Sequence, residues 1–231
     1  MGSDTSAERL PADYARTRVL SAFELLVGGA IVIGHNVFHV IPNEVPILFV
    51  LSLASMRIRT GSWAWHTLGL KRPRSWLLIV QIAVAAAVLR IVLSHYLVEP
   101  VTGYFWPPAK APAVVDEMAG NLKLVLLYIP IIWGFAAFGE EIGYRGYLLN
   151  RAAESGGCSR PAYWAAVIVV AVLFGYGHYY KRPAGIVDSG VAGLILGAAY
   201  LVAGRNLWTC ILAHGLIDSF GLALAYLGRD F

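Results

Sequence analysis

Apolar residues in this chain come in long blocks broken by short polar stretches, not in the alternating or half-polar patterns of a soluble core. Blocks at 19–41, 76–98, 122–149, 161–180, 185–203 and 206–227 each approach or exceed the roughly 20 residues that a helix needs to cross a bilayer. A shorter block, 45–56, follows the turn residues Pro42, Asn43 and Pro46, and predicts a tilted, half-buried or re-entrant helix. Pro130 predicts a kink in the 122–149 helix. No internal repeat of 20–50 residues appears. The pattern predicts an all-α, polytopic transmembrane bundle of about seven spans forming one domain over 1–231, with a polar tail at 1–18.

Composition sharpens this picture. Of 231 residues, 58% are hydrophobic and only 14% charged, against about a quarter charged in soluble domains. The formal charge of +4 calls for no nucleic acid, since basic residues at the cytoplasmic ends of spans produce such a bias. Arg9, Arg16, Arg18, Arg57, Arg59, Lys71, Arg72, Arg74, Arg151, Arg160 and Arg205 fall on one side of a seven-span topology. Only Lys110, Lys181, Arg182 and Arg229 fall on the other, which predicts a multi-pass protein of the cell membrane with a cytoplasmic N-terminus. The N-terminal stretch has neither the short apolar core nor the cleavage site of a signal peptide. Cys158 lies in a polar loop and Cys210 in an apolar span, so a structural disulfide is not expected.

Against this background the informative residues are ionisable groups inside spans, which are expensive there and mark function by default. The 122–149 block carries Phe138-Gly139-Glu140-Glu141-Ile142-Gly143-Tyr144-Arg145. Glu141 and Arg145 are four apart with the acid first, the favourable order for a helical ion pair. Glu140 is rotated by about 100° from Glu141, shares its face with Tyr144, and is the freer carboxylate. A desolvated glutamate of that kind suits a general base. The 161–180 block ends Phe174-Gly175-Tyr176-Gly177-His178, where His178 can act as base, donor or metal ligand. The 206–227 block carries His214 and Asp218 on one face, so that Asp218 can orient the imidazole or join it in binding a metal. His35 and His39 share a face of the first span, Glu24 and Arg90 are further charges within spans, and Gly193 and Gly197 offer close helix packing.

Three fragments therefore stand in order on separate spans: Glu140-Glu141 with Arg145, Phe174 with His178, and His214 with Asp218. Together they resemble the EExxxR, FxxxH and HxxxN/D motifs of the CAAX-protease and bacteriocin-processing family of intramembrane endopeptidases, which includes the Rce1-like prenyl-protein proteases. The resemblance covers 122–227, and Gly69-Leu70-Lys71-Arg72-Pro73 is similar to the family's lead-in. It implies hydrolysis of a peptide bond in a membrane-associated or lipidated substrate. Carried over, Glu140 and His178 would activate water, His214 and position 218 would stabilise the oxyanion, and Glu141 and Arg145 would support the site. Phe174 and Tyr144 would contact substrate. Position 218 departs from the asparagine of the prenyl-protein enzymes. An ionised aspartate cannot donate to an oxyanion, which makes Asp218 the group that orients His214. The expected cofactor is none. Two imidazoles with carboxylates are also a zinc-like set, so a zinc-dependent version is the alternative, and a transporter with embedded titratable groups is the other.

Overall fold

The computed structural model describes residues 9–107 and 112–229, with side chains from residue 15 onward. Lys110 and the first eight residues of the polar tail lie outside the described residues. Among the described residues every regular element is helical. We label the main ones α1 (Arg9–Asn36), α2 (Glu44–Thr60), α3 (Trp76–Phe105), α4 (Leu122–Ser155), α5 (Arg160–Tyr176), α6 (Arg182–Val202) and α7 (Leu207–Tyr226). All seven predicted blocks are thus helices. Five of them, α1 from Ala15, α3, α4, α6 (with the turn before it) and α7, are long and apolar enough to cross a membrane, whereas α2 and α5 have 17 residues each.

The helix starts are set by local chemistry. Asn43, Ser75, Asn121, Ser159 and Asn206 each accept a hydrogen bond from a backbone N–H two or three residues on, at 3.0–3.3 Å. Such side chains satisfy donors that a helix leaves free at its first turn. The ends differ more from the sequence reading. α1 stops at Asn36, so His39 lies beyond it in a turn with φ 54° and does not share a helical face with His35. α5 stops at Tyr176 because the His178 ring folds back and its Nδ1 donates to the Phe174 carbonyl at 2.9 Å, closing the last turn. In α4 the winding changes two residues after Pro130. From Ile132 to Glu140 and again from Ile142 to Leu149 the helix is π-wound, a rare form associated with functional segments.

Packing follows from small residues. α5 lies against α6 where Gly193 meets Ala171 and Gly197 meets Val167. A Cβ at Gly175 would sit 2.6 Å from the Ile186 carbonyl, so the two backbones are as close as they can be. On α4, Gly139 faces Val45 and Gly143 faces Leu48, which brings α2 onto the same helix. The connector between α2 and α3 is docked as well. Leu207 N–H donates to the Gly69 carbonyl at 2.9 Å, and Lys71 Nζ to the Gly204 carbonyl at 2.8 Å. At the same end, α1, α2 and α4 are tied by a partly buried charge network. Arg59 pairs with Glu24 at 2.9 Å and with Glu154 at 3.2 Å, and Arg151 pairs with Glu154 at 3.1 Å. Apolar side chains such as Leu77, Val84 and Val88 of α3 point outward, as the surface of a helix facing lipid does. Long apolar helices with such an exterior make this a multi-pass membrane protein.

The closeness of α5 and α6 yields a test. Gly175→Ala forces the backbones apart and should destabilise the protein by about 1–3 kcal/mol. Gly134→Ala, where a Cβ meets nothing within 4 Å, should not. Thermal unfolding in detergent distinguishes the two, and equal melting temperatures would contradict the packing described.

Candidate active site

The π-wound segment of α4 presents Glu140, Glu141, Tyr144 and Arg145 to the middle of the bundle. Glu141 and Arg145 are 0% and 1% exposed, and Arg145 Nη1 donates to Glu141 Oε1 at 2.8 Å. The same Oε1 accepts from His214 Nδ1, also at 2.8 Å. One carboxylate oxygen thus holds a guanidinium on its own helix and an imidazole on α7. Charges removed from water are stable only when partnered in this way.

α7 reaches that position because it crosses α4 closely. A Cβ at Gly215 would lie 2.6 Å from the Trp133 ring, so the residue after His214 must be small. Trp133 Nε1 also donates to Ser219 Oγ at 3.1 Å, which fixes the rotation of α7. His214 Nε2 then faces Asp218, with Oδ2 at 3.6 Å. That is a close ionic contact but longer than a hydrogen bond. The buried oxygen that orients His214 is therefore on Glu141, a link that spacing along one chain segment does not reveal.

Phe174 is the centre on which the three motif fragments meet. Its ring is 3% exposed. Arg145 Cζ lies 4.4 Å from the ring centroid, Tyr144 packs edge-on at 5.0 Å, His178 at 4.8 Å and His214 at 6.1 Å. Cation–π and edge-to-face contacts of this kind favour a single arrangement of the groups. Tyr144 is buried as well, 1% exposed, with Glu44 at the start of α2 close to its hydroxyl. Glu44 in turn lies 3.3 Å from His35 Nε2. Sequence reading passed over Glu44, since an acid just after Asn43 has the form of an ordinary helix start. Phe174 and Tyr144 thus form the packed wall behind the polar groups.

Besides Glu141 Oε2, which is buried and unbonded, two groups of the site keep unpartnered lone pairs among the described residues. A carbonyl can only accept, so His178 Nδ1 carries the hydrogen that bonds Phe174, and a neutral ring leaves Nε2 as an acceptor. Glu140 Oε2 is buried and makes no hydrogen bond among the described residues. Cys210 is buried, its Sγ bonded to the Leu196 carbonyl at 3.3 Å, which is a packing position. As for a metal, among the described residues no group of three or more His, Cys, Asp or Glu side chains is arranged to hold one. Both Nδ1 atoms are engaged by protein groups, which fixes each ring and leaves its Nε2 as the atom toward a substrate or a metal.

With this geometry in hand, comparison with known proteins locates it. Residues 122–220 match the family model described as type II CAAX prenyl endopeptidase Rce1-like. The matched window holds Glu140, Glu141, Arg145, Phe174, His178, His214 and Asp218, and the chain carries the family resemblance read from its motifs there. That description is of a family of CAAX prenyl endopeptidases, and the match covers the part of the chain that holds the site. Comparison with curated proteins and with solved structures gave no match.

The shared oxygen of Glu141 makes a prediction about stability. Arg145→Met leaves a fully buried carboxylate short of its strongest partner and should cost about 3–5 kcal/mol. The measurement is the melting temperature in detergent, and an unchanged value would show that Glu141 is not held by that pair.

Proposed function

We propose that the protein is an intramembrane endopeptidase that hydrolyses a peptide bond of a membrane-associated or lipidated protein or peptide. The observation that carries this reading is the convergence of Arg145, His178 and His214, one from each motif fragment, on the buried ring of Phe174 inside the family-matched window. Glu140, unbonded, takes one proton from a water whose other hydrogen is bonded to the His178 Nε2 lone pair. The hydroxide adds to the scissile carbonyl to give a tetrahedral oxyanion. His214 Nε2 donates to that oxygen, held through Nδ1 by Glu141, and Asp218 steadies the charge on the ring. Both groups facing His214 are acceptors, so a ring with hydrogen on both nitrogens matches them and remains able to donate. Collapse of the intermediate breaks the C–N bond, and the proton held by Glu140 passes to the leaving amine.

No step in this reading runs through a metal. The zinc alternative draws on His178, His214, Glu140 and Asp218, and the chelator test below separates it from this reading. The transporter alternative needs polar groups strung across the membrane, whereas those of this site gather around Phe174. We assign the chain to the cell membrane with its N-terminus cytoplasmic, on the strength of the basic residues at the ends of α1, α2, α4 and in the α6–α7 turn.

Peptide cleavage by the purified protein in liposomes tests the proposal. His178→Ala and His214→Ala should each lower the rate by about 10²–10³-fold, while a chelator should leave the wild type unaffected. Loss of activity with the chelator, restored by zinc, would replace this mechanism with the metal-dependent one.

A further inference from the structure

Lys181 is a cation that the chemistry above does not use. It lies in the tight turn between α5 and α6, three residues after His178, and its backbone N–H donates to the His178 carbonyl at 2.9 Å. The next residue, Arg182, has φ 62° and ψ −176°. That region is unfavourable for a residue with a side chain and persists only where the surroundings impose it. The stem of Lys181 is laid along Gly185, where a Cβ would come within 2.0 Å of Lys181 Cβ and 3.1 Å of its Cγ. The side chain is thereby placed on the first turns of α6, in the direction of Asp188.

Ion pairing there is incomplete. Among the described residues the half-buried ammonium touches only the Tyr180 ring, 5.8 Å from its centroid, and pairs with no carboxylate. The titratable groups around it are Asp188, Asp218, Arg90 and Glu140. Asp188 is already taken: Oδ2 pairs with Arg90 at 2.5 Å, and Oδ1 accepts from the Ser94 hydroxyl at 2.7 Å. Arg90 is 6% exposed, yet its Nε and Nη1 are buried and unbonded among the described residues. Glu99 also reaches Ser94, at 3.1 Å, but its side chain is 46% exposed. Lys181 thus lacks a paired carboxylate, and Arg90 keeps two unbonded donors beside Asp188. Buried donors without acceptors are costly in a protein that has no use for them.

We propose that Lys181, backed by Arg90, receives a carboxylate of the substrate and so sets which bond lies against Glu140. This inference rests on the protease reading. The carboxylate is that of the peptide's C-terminus or of an acidic side chain near the scissile bond, and the test separates the two sources.

A peptide that the wild type cleaves in liposomes is synthesised as the free acid, as the C-terminal amide, and with each Asp or Glu replaced by Asn or Gln. One of the neutralised forms should lose about tenfold or more in kcat/KM, chiefly through KM, the size of one charge-assisted hydrogen bond. Loss with the amide identifies the chain terminus, and loss with a side-chain replacement identifies the acidic residue. In Lys181→Met that preference should fall to about one, and in Lys181→Arg it should return. Gly185→Ala, which displaces the lysine stem, should act like Lys181→Met. A merely structural lysine would lower all rates in common and leave the preference intact. Cleavage with no preference for any acidic form, or a preference that survives in Lys181→Met, overturns the anchor alone. Absence of cleavage of every peptide by the wild type overturns the protease reading and the anchor with it.

Discussion

Everything in the site depends on one oxygen atom. Glu141 Oε1 accepts from Arg145 and from His214, each at 2.8 Å, at a position closed to solvent. A carboxylate removed from water in this way stays ionised and fixed only while both partners are present. The constraint runs outward from there. His214 has to sit one residue from a glycine so that α7 can approach Trp133. Arg145 has to lie flat on Phe174, 4.4 Å from the ring. Phe174 in turn fixes His178 through its own carbonyl. Glu140, one residue from Glu141, keeps a buried Oε2 that makes no hydrogen bond among the described residues.

The helices serve this constraint with unusual local structure. α4 is π-wound through the segment that bears both glutamates, so its side chains do not follow the angular spacing of an α-helix. α5 ends just where its histidine is needed, and the turn after it carries Lys181 and the strained Arg182. The other charge clusters, partly buried, sit at different places in the bundle. Glu24, Arg59, Arg151 and Glu154 fasten one end of α1, α2 and α4. Arg90, Ser94 and Asp188 fasten α3 to α6. Stability and chemistry thus draw on the same device, a charged residue inside an apolar helix, with different degrees of pairing.

What the sequence disclosed and what it hid divide along a physical line. Hydrophobic blocks and capping residues act locally, so the seven helical segments and the start of α7 beside Asn206 were legible. So was the pairing of Glu141 with Arg145, which lies within one helix. The hand-off from Glu141 to His214 spans 73 residues, and the Arg90–Asp188 pair spans 98. Such pairings depend on how helices cross, which no spacing along one segment encodes. The π-winding after Pro130 was hidden because a kink and a change of winding have the same sequence signal. The five longer helices also fall short of the predicted seven spans, since α2 and α5 have 17 residues each.

The central claim is a division of labour between two adjacent acids, and the most direct measurement compares them. Glu140→Gln and Glu141→Gln would be purified side by side, and for each the melting temperature in detergent and the peptide-cleavage rate in liposomes would be recorded. The account predicts that Glu140→Gln melts close to the wild type while cleaving about 10²–10⁴-fold more slowly, the range for loss of a general base. It predicts that Glu141→Gln melts well below the wild type. Cleavage at the wild-type rate by Glu140→Gln, or an unchanged melting temperature for Glu141→Gln, would contradict it.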